Sequence, residues 1–185
     1  MVDVAIVDYG MGNLRSVEQA VRKVAPGTSV VVTDDAKVVA NARRVVFPGQ
    51  GAMPDCMREL DARGLRQAVL DAARNKPFLG ICIGLQMLFE HSTEGNVPGL
   101  GVLPGDVVRF ATGLKDEQGG KLKVPHMGWN RVHHQDHPLW AGIEQDARFY
   151  FVHSYYVQPR DAAIVQATSD YPRPFVCAVA RDNLF

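Results

Sequence analysis

The sequence has few of the features that mark secreted, membrane-bound or nucleic-acid-binding proteins. Its three cysteines are scattered and form no Cys-x-x-Cys pair, which argues against a disulfide framework and a zinc site. Twenty basic and twenty acidic residues cancel, so the net charge attracts neither phosphate backbones nor anionic lipids. The N-terminal stretch is acidic where a secretory signal is basic, and no apolar run reaches the roughly 18 residues of a membrane span. We therefore expect a cytoplasmic protein with free thiols, no metal, no nucleic acid and no membrane partner.

Short β-branched runs alternate with amphipathic segments through the first half of the chain. The runs VDVAIVDYG, TSVVVTD, ARRVVFPG and KPFLGIC are almost unbroken by polar residues, which is typical of a parallel sheet covered on both faces. GNLRSVEQAVRKVA and LRQAVLDAARN repeat apolar residues at helical spacing, and LQMLFEHS is expected to be a helix. Later runs are short and bordered by glycine and proline, which favours a mixed or antiparallel second half wrapped around the same sheet. With no linker, residues 1–185 are predicted to form one α/β domain, doubly wound around a mostly parallel sheet flanked by helices.

The segment GICIG, Gly80 to Gly84, places a cysteine between two glycines where a buried strand turns into a helix. Glycines on both sides of a nucleophile permit a tight elbow, because no Cβ atom obstructs the reversal of the chain. The elbow leaves the N–H of Ile83 free to bind an oxyanion, and the helix dipole with a basic neighbour is expected to lower the pKa of the Cys82 thiol. The alternative is a cysteine that only packs at the end of a core strand.

A second glycine loop, FPGQGAMP at residues 47–54, also follows a buried strand. Its glycines leave backbone N–H groups unobstructed, so it is the candidate for a second oxyanion donor; a turn that needs glycine only for steric reasons is the alternative. The opening DYGMGNL has a Gly-x-Gly after the first strand, but Arg15 stands at the third glycine of the dinucleotide fingerprint. We therefore expect no cofactor.

Six histidines are candidates for the general base of Cys82. HHQDH at residues 133–137 could suggest a metal, but adjacent histidines on a strand point to opposite faces, so a solvated loop is the better interpretation. His91 is expected at the end of its helix, where a cation meets the dipole favourably. His153, in FVHSYY among aromatic residues, is the base that chemistry alone would favour.

Five motifs, VDYGMGNL, PGQGAM, GICIGLQML, PHMGWN and YFVHSYY, follow one another along the chain. Together they resemble the class I glutamine amidotransferases, and among them the glutaminase subunits of imidazole glycerol phosphate synthase. GICIGLQ alone resembles the wider group of cysteine glutaminases, and DYGMGNL with PHMGWN narrows the resemblance to this subunit. The family usually has valine where this chain has Gln50. The resemblance covers the whole chain and implies a flavodoxin-like fold.

The resemblance also implies a Cys-His-Glu triad that hydrolyses glutamine through a thioester. The ammonia passes to a cyclase, a (β/α)8 barrel, which makes imidazole glycerol phosphate and aminoimidazole carboxamide ribotide in histidine biosynthesis. Cys82 matches the nucleophile. The residues that match oxyanion donors are Gly49, Gln50, Gly51 and Ile83. Those that match the glutamine-binding positions are Gln86, His153, Ser154 and Tyr155. Those that match the cyclase-facing positions are Asn13, Pro125, Met127, Trp129, Asn130 and Tyr150. Without the resemblance, Gln86 could be a surface amide of its helix and Trp129 a core residue.

The resemblance implies that the general base of Cys82 lies in none of these five motifs. In the family the histidine and glutamate come together in a His-x-Pro-Glu motif after a late strand, and CAVARDNLF resembles the approach to that strand. The triad His and Glu are therefore expected beyond Phe185, and residues 1–185 are expected to lack that segment. Three alternatives stay open: a docking module without catalysis, an independent elbow-cysteine hydrolase with His153 as base, and the glutaminase of another synthase, such as that of vitamin B6.

Overall fold

Four parallel strands organise the first half of the chain in the computed structural model, which describes residues 2–116 and 118–185. The strands are β1 (Val4–Val7), β2 (Val30–Thr33), β3 (Arg44–Gly49) and β4 (Phe78–Cys82). They lie in the order β2-β1-β3-β4, and every residue of β1 is buried. The unbroken apolar runs in the sequence thus correspond to strands that are covered on both faces.

Five helices flank this sheet: α1 (Leu14–Val24), α2 (Ala36–Asn41), α3 (Met53–Ala62), α4 (Arg66–Asn75) and α5 (Ile83–Met87). The apolar stripe of α1 packs on one face of the sheet, against a cluster that contains Val4 and Ile6. The buried residues of α3 and α4 belong to a larger core around Phe47 and Phe78. Helices on both faces make the first half doubly wound, as predicted.

The second half of the chain forms a sheet of its own. Its elements are β5 (Phe89–Ser92), β6 (Val97–Pro98), β7 (Leu103–Arg109), β8 (His126–Arg131), β9 (His133–His134), β10 (Arg148–His153), β11 (Tyr155–Pro159), β12 (Val165–Asp170) and β13 (Pro174–Val179), with 3-10 turns at Pro138–Trp140 and Ala162–Ile164. Seven strands lie in the order β6-β5-β7-β11-β13-β12-β9, whereas β8 and β10 pair only with each other. The predicted α/β class and mixed second half are confirmed, but this sheet is separate from the parallel one.

One predicted helix is shorter than the sequence pattern suggests. The helix within LQMLFEHS ends at Met87, and the chain enters β5 two residues later. Phe89 and Ser92 are both buried because β5 pairs with β7 on one side and β6 on the other. His91 therefore lies in a strand, where its Nε2 is 2.9 Å from Asn96 Oδ1, and it caps no helix. Tertiary pairing has overridden the local helical pattern.

The stretch KDEQGGK, residues 115–121, is typical of an exposed hairpin tip, and its Glu117 lies outside the described residues. The N–H of Asp116 donates to the carbonyl of Gly120 at 2.9 Å, and Lys115 forms an antiparallel bridge with Lys121. No described helix is long and apolar enough to cross a membrane.

The free side of β4 is paired with the last residues of the chain. Leu184 lies beside Phe78 in a parallel bridge, and the N–H of Phe78 donates to the carbonyl of Asn183 at 2.9 Å. The N–H of Gly80 donates to the carbonyl of Phe185 at the same distance of 2.9 Å. Asn183–Phe185 thus run alongside β4 toward the edge of the sheet that carries Cys82.

Candidate active site

Cys82 stands at the turn between β4 and α5 in a strained backbone conformation. Its φ of 58° and ψ of −119° are rare for a residue with a side chain and cost on the order of 1–3 kcal/mol. The flanking glycines make the turn possible: a Cβ atom on Gly84 would lie 1.8 Å from the carbonyl oxygen of Phe47, and one on Gly80 would lie 3.1 Å from the backbone of Leu85. The chain therefore forms an elbow that holds the cysteine at the carboxyl end of the parallel sheet.

The thiol of Cys82 is less acidic than the sequence suggested. The residue is exposed, yet the surrounding protein atoms displace water from the sulfur and raise its pKa above the ordinary value. The N–H of Ile83 hydrogen-bonds to the sulfur and acts in the opposite direction. Within residues 2–116 and 118–185 no basic side chain contributes to the pKa of this thiol, and α5 is only five residues long, so its dipole is small. In this arrangement the thiol needs a base to become a nucleophile.

The glycine loop after β3 lies beside the elbow. Gly49 is the direct partner of Cys82 in the register of β3 and β4, and Gly49 is buried while Gln50 and Gly51 are exposed. Cys56 donates its S–H to the Gln50 carbonyl at 3.5 Å, so this carbonyl points into the protein. Gly51 has a φ of 111°, in the region that favours glycine. The structure thus places all four predicted oxyanion residues, Gly49, Gln50, Gly51 and Ile83, next to the turn that carries Cys82.

Two residues that were not predicted from the sequence lie against this loop and against the start of the helix that follows it. Tyr9 is fully buried, and its hydroxyl lies so close to Gly49 that a Cβ atom there would be 2.1 Å from the oxygen. Burial and the neighbouring Cys56 raise the pKa of Tyr9, so it stays a neutral phenol. Glu94, in the turn after β5, accepts a hydrogen bond of 2.8 Å from the N–H of Met53 at the start of α3. An aromatic residue two positions after β1 was the available sequence signal for Tyr9.

A groove of about 510 Å³ opens beside the cysteine. It lies between the end of β4 with α5 and the strands β10, β11 and β13, and most of its lining is apolar. Cys82, Gln86, His153 and Tyr155 all line it. Ser154 does not; its carbonyl accepts a hydrogen bond of 3.0 Å from the N–H of Phe110. Three of the four residues predicted along the substrate therefore share one groove with the predicted nucleophile.

Gln86 is a buried amide and not a surface residue of its helix. Only 8% of the residue is exposed, and its Nε2 donates to the Tyr155 carbonyl at 3.4 Å. Its Oε1 is buried without a hydrogen-bond partner among the described residues. A buried amide oxygen without a partner costs free energy, so its position beside the groove suits a ligand that donates an N–H.

His153 is poorly placed to act as a base for Cys82, because both ring nitrogens already have partners. Its Nδ1 lies 2.9 Å from the Tyr155 carbonyl, and its Nε2 lies 3.0 Å from Nδ1 of His126. Burial lowers the pKa of His153. The hydrolase hypothesis with His153 as base therefore loses its main support, and no described histidine hydrogen-bonds to Cys82.

His133 and His134 lie at the surface, where each ring has a nitrogen in contact with another group. His133 bonds to Asp146 and lies 3.4 Å from Asp170, while Nδ1 of His134 is 3.1 Å from the Gln135 carbonyl. Within the described ranges, no group of three or more His, Cys, Asp or Glu side chains could hold a metal ion.

The two-stranded ribbon of β8 and β10 has one apolar face turned to solvent. Its outward side chains are unusually exposed for large apolar residues: Met127 61%, Trp129 67%, Tyr150 55% and Val152 57%. Trp129 packs edge-on against Tyr150 with their ring centroids 5.6 Å apart, so it is a surface residue and not part of the core. Pro125 precedes the ribbon and is exposed, whereas Asn130 points to the inner face. Asn13 lies elsewhere, where its Oδ1 caps α1 by accepting from the N–H of Ser16 at 3.3 Å.

A cysteine elbow at the carboxyl end of a parallel sheet, flanked by a glycine loop and a groove, defines an enzyme of the nucleophile-elbow kind. The sequence model described as "Glutamine amidotransferase class-I" matches residues 5–184, and the chain belongs to this family. The protein is thus a glutamine amidotransferase, as its motifs suggested.

Individual relatives show which kind of glutamine amidotransferase the chain is similar to. The chain is similar to "Imidazole glycerol phosphate synthase subunit HisH" of Aromatoleum aromaticum, with 67% identity over 187 residues that cover 100% of this chain and 88% of the relative. The protein of the same name from Nitrosospira multiformis is 65% identical with the same coverage of 100% and 88%. Among solved structures, one described as a glutamine amidotransferase has a TM-score of 0.72 at 14% identity, covering 98% of this chain and 86% of its own. This last likeness shows the fold alone.

Proposed function

We propose that the protein is the glutaminase subunit of an imidazole glycerol phosphate synthase, which hydrolyses glutamine and delivers ammonia to a cyclase subunit. The observation that carries the proposal is the strained elbow at Cys82 with Gly49 directly beside it, which puts a nucleophile next to the glycine loop. The names of the similar proteins, each called a subunit of this synthase, support the choice of synthase.

The reaction follows from these positions. Sγ of Cys82 attacks the carbonyl carbon of the glutamine side-chain amide, and the electron pair of the C=O bond moves to oxygen. The N–H of Ile83, which turns from the sulfur to the oxygen as the new bond forms, and an N–H from the loop of Gly49, Gln50 and Gly51 bind that oxyanion, each contributing roughly 3 kcal/mol. The electron pair on oxygen re-forms the C=O bond, and the C–N bond breaks as its nitrogen takes up the proton that the base removed from the thiol, which releases ammonia and leaves a thioester. Water then attacks the thioester, and glutamate leaves as the thiol is restored.

We place the base of this reaction, with its glutamate partner, in residues that follow Phe185. The support is the register of Asn183–Phe185 along β4, in which Leu184 lies beside Phe78. Both segments advance about 3.3 Å per residue in the same direction. A strand continuing in this register comes level with Cys82 roughly four residues after Leu184. A histidine there would be at the right edge of the sheet to accept the thiol proton.

Gln86, His153, Ser154 and Tyr155 are proposed to bind the glutamine substrate. The unpaired Oε1 of Gln86 can accept an N–H of the substrate beside the groove. The segment from His153 to Tyr155 is proposed to lie along the substrate mainly through backbone, since the ring of His153 is committed to other bonds. The carbonyls of Ser154 and Tyr155 already accept hydrogen bonds within the protein.

The exposed apolar face of the ribbon is proposed to dock the cyclase. Met127, Trp129 and Tyr150 form a cluster of large side chains of the type that carries most of the binding free energy in interfaces. Pro125 and the backbone of Asn130 are proposed to lie along the same contact, since the Asn130 side chain faces inward. Asn13, at the start of α1, is proposed to meet the cyclase at a separate point. The cyclase is the proposed occupant because the similar proteins are named as a subunit of a synthase, and a subunit requires a second chain.

The decisive experiment is glutamine turnover by the complete protein with purified cyclase, comparing wild type with Cys82→Ser. Cys82→Ser should lose glutaminase activity and keep its fold and cyclase binding, because the hydroxyl differs little in volume but greatly in acidity. Cys177→Ser is the matched control, since Cys177 also lines the groove, and it should keep turnover. Ordinary turnover by Cys82→Ser would refute the nucleophile. Cyclase binding by wild type without any turnover would identify a docking module instead.

A further inference from the structure

The buried His126 and the half-buried His153 form a pair whose rings take no part in the steps of the proposed reaction. They face each other across the ribbon, in the register that pairs the first residue of β8 with the last of β10. Nδ1 of His126 lies 3.0 Å from Nε2 of His153. Cross-strand partners project from the same face of a sheet, so the pair lies on the inner face, opposite Met127 and Trp129.

The partners at each end fix the direction of every hydrogen bond in the chain. The Tyr155 carbonyl can only accept, so His153 carries its proton on Nδ1, 2.9 Å away. Nε2 of a neutral His153 is then an acceptor, and His126 must donate to it from Nδ1. Nε2 of His126 is left as an acceptor, and the Asn130 amide Nδ2 lies 3.4 Å from it. Both rings thus adopt the Nδ1–H tautomer.

The surroundings keep both rings neutral and in place. His126 is 4% exposed and is stacked between Tyr171 and Phe151, with ring centroids 4.1 Å and 5.1 Å away. Burial, with a smaller contribution from His153, lowers the pKa of His126 to about 4, and burial also lowers that of His153. Within a low-dielectric site of this kind, neighbouring hydrogen bonds polarise and strengthen one another.

This chain of hydrogen bonds ends near the proposed glutamine-binding groove on one side and near the proposed cyclase-docking face on the other. At one end, the Tyr155 carbonyl also accepts from Nε2 of Gln86 at 3.4 Å. At the other end, Asn130 follows Trp129 directly on β8, and its Nδ2 also donates to the Asp170 carbonyl at 2.8 Å. The two terminal bonds, to Asn130 and to Gln86, are long at 3.4 Å, whereas the two inner bonds are 3.0 Å and 2.9 Å.

We propose that His126 and His153 are positioning residues that couple docking of the partner on the outer face of the ribbon to the placement of Gln86 in the groove. This inference rests on the proposed function, and it adds a path between its two sites. Docking that moves the ribbon shifts Asn130, His126 and His153 together, because all three lie on β8 and β10. The shift reaches β11 through the bond from Nδ1 of His153 to the Tyr155 carbonyl, and His126 fixes the ring that makes this bond. That carbonyl then holds Nε2 of Gln86, which aims the free Oε1 at the substrate.

The first test is spectroscopic and independent of catalysis. Nitrogen-15 NMR of the histidine rings in the complete protein distinguishes the two neutral tautomers and the imidazolium. We expect both His126 and His153 as Nδ1–H tautomers at neutral pH, and we expect their shifts to change when cyclase is added. An Nε2–H tautomer in either ring, or shifts that stay constant with cyclase bound, would overturn the relay.

The second test is kinetic, with variants that separate the hydrogen bonds from the packing. His126→Phe keeps a ring between Tyr171 and Phe151 but removes both nitrogens, so cyclase-stimulated turnover should fall about tenfold or KM for glutamine should rise about tenfold. Cyclase affinity and alkylation of Cys82 by iodoacetamide should stay within about twofold. Tyr171→Leu is the control, because it loosens the packing on the His126 ring, leaves every bond of the chain and does not line the groove, and it should keep the stimulation.

The outcomes also separate this inference from the function on which it rests. Wild-type protein without cyclase-dependent glutaminase activity refutes the proposed function. Wild-type protein with that activity, together with His126→Phe that is stimulated to the same extent, refutes the relay alone. If His126→Phe does not fold, Asn130→Asp replaces it: a carboxylate opposite Nε2 should raise the pKa of His126, measured by nitrogen-15 NMR, and an unchanged pKa of His126 would count against the relay.

Discussion

Substituting Gly49 by alanine should test how closely the oxyanion loop is fitted to the residue beneath it. The new Cβ would lie 2.1 Å from the Tyr9 hydroxyl, whereas non-bonded atoms normally approach to roughly 3.5 Å. Tyr9 is fully buried and its ring packs on Phe47 with centroids 5.4 Å apart, so it has no room to swing away. The loop must therefore move. We expect a loss of about 1–3 kcal/mol in the free energy of unfolding and a fall of roughly 10²–10³ in kcat, as for a lost oxyanion donor.

The reasoning can be checked by a double-mutant cycle with Tyr9→Phe, which removes only the oxygen. Gly49→Ala combined with Tyr9→Phe should regain part of both the stability and the turnover, because the closest overlap is gone. Denaturant unfolding and cyclase-stimulated glutaminase rates measure the two quantities on the same four proteins. The explanation fails if Gly49→Ala turns over glutamine at the wild-type rate, or if the two substitutions are additive, since additivity means that the atoms do not compete for space.

Two further predictions concern the partner face and pH. Cyclase with bound ligand should accelerate glutamine hydrolysis at least about a hundredfold over the subunit alone, because rotation of the Gly49–Gln50 peptide adds one oxyanion donor. Trp129→Ala should weaken that stimulation and leave alkylation of Cys82 unchanged. Equal rates with and without cyclase would contradict it. His126, which faces His153 on β10 and Tyr171 beside β13, has its pKa lowered by burial from 6.5 to about 4, so the unfolded chain binds this proton first. The free energy of unfolding should fall as pH drops from about 6.5 to about 4, by up to about 3 kcal/mol, and denaturant melts of His126→Phe should show a flatter profile.

Local patterns in the sequence were sufficient for the parallel half of the fold. Unbroken apolar runs identified β1 to β4, because strands covered on both faces need no polar alternation. The helix expected over LQMLFEHS was half wrong, since pairing of β5 with β7 is a long-range interaction that no window of the sequence reveals. The separate ribbon of β8 and β10 escaped prediction for the same reason.

The candidate site was partly accessible in the same way. Glycine spacing around Cys82 indicated the elbow, because that geometry depends on adjacent residues. The raised pKa of the Cys82 thiol was not foreseen, since desolvation depends on what other segments place around the sulfur. Tyr9 and the His126–His153 pair were missed for a related reason: their roles come from contacts between strands that are distant in the sequence.

The ribbon of β8 and β10 has a thermodynamic consequence of its own. Its strands share backbone hydrogen bonds only with each other among the described strands, and isolated two-stranded hairpins are at best marginally stable in water. The ribbon is held to the rest of the protein by side-chain contacts on its inner face, such as the Asn130 bond to Asp170. Its amide protons should therefore exchange through local opening well before global unfolding. A partner that covers the outer face binds the closed ribbon and shifts this equilibrium toward the closed state. The free energy needed to close the ribbon therefore reduces the binding free energy of the complex.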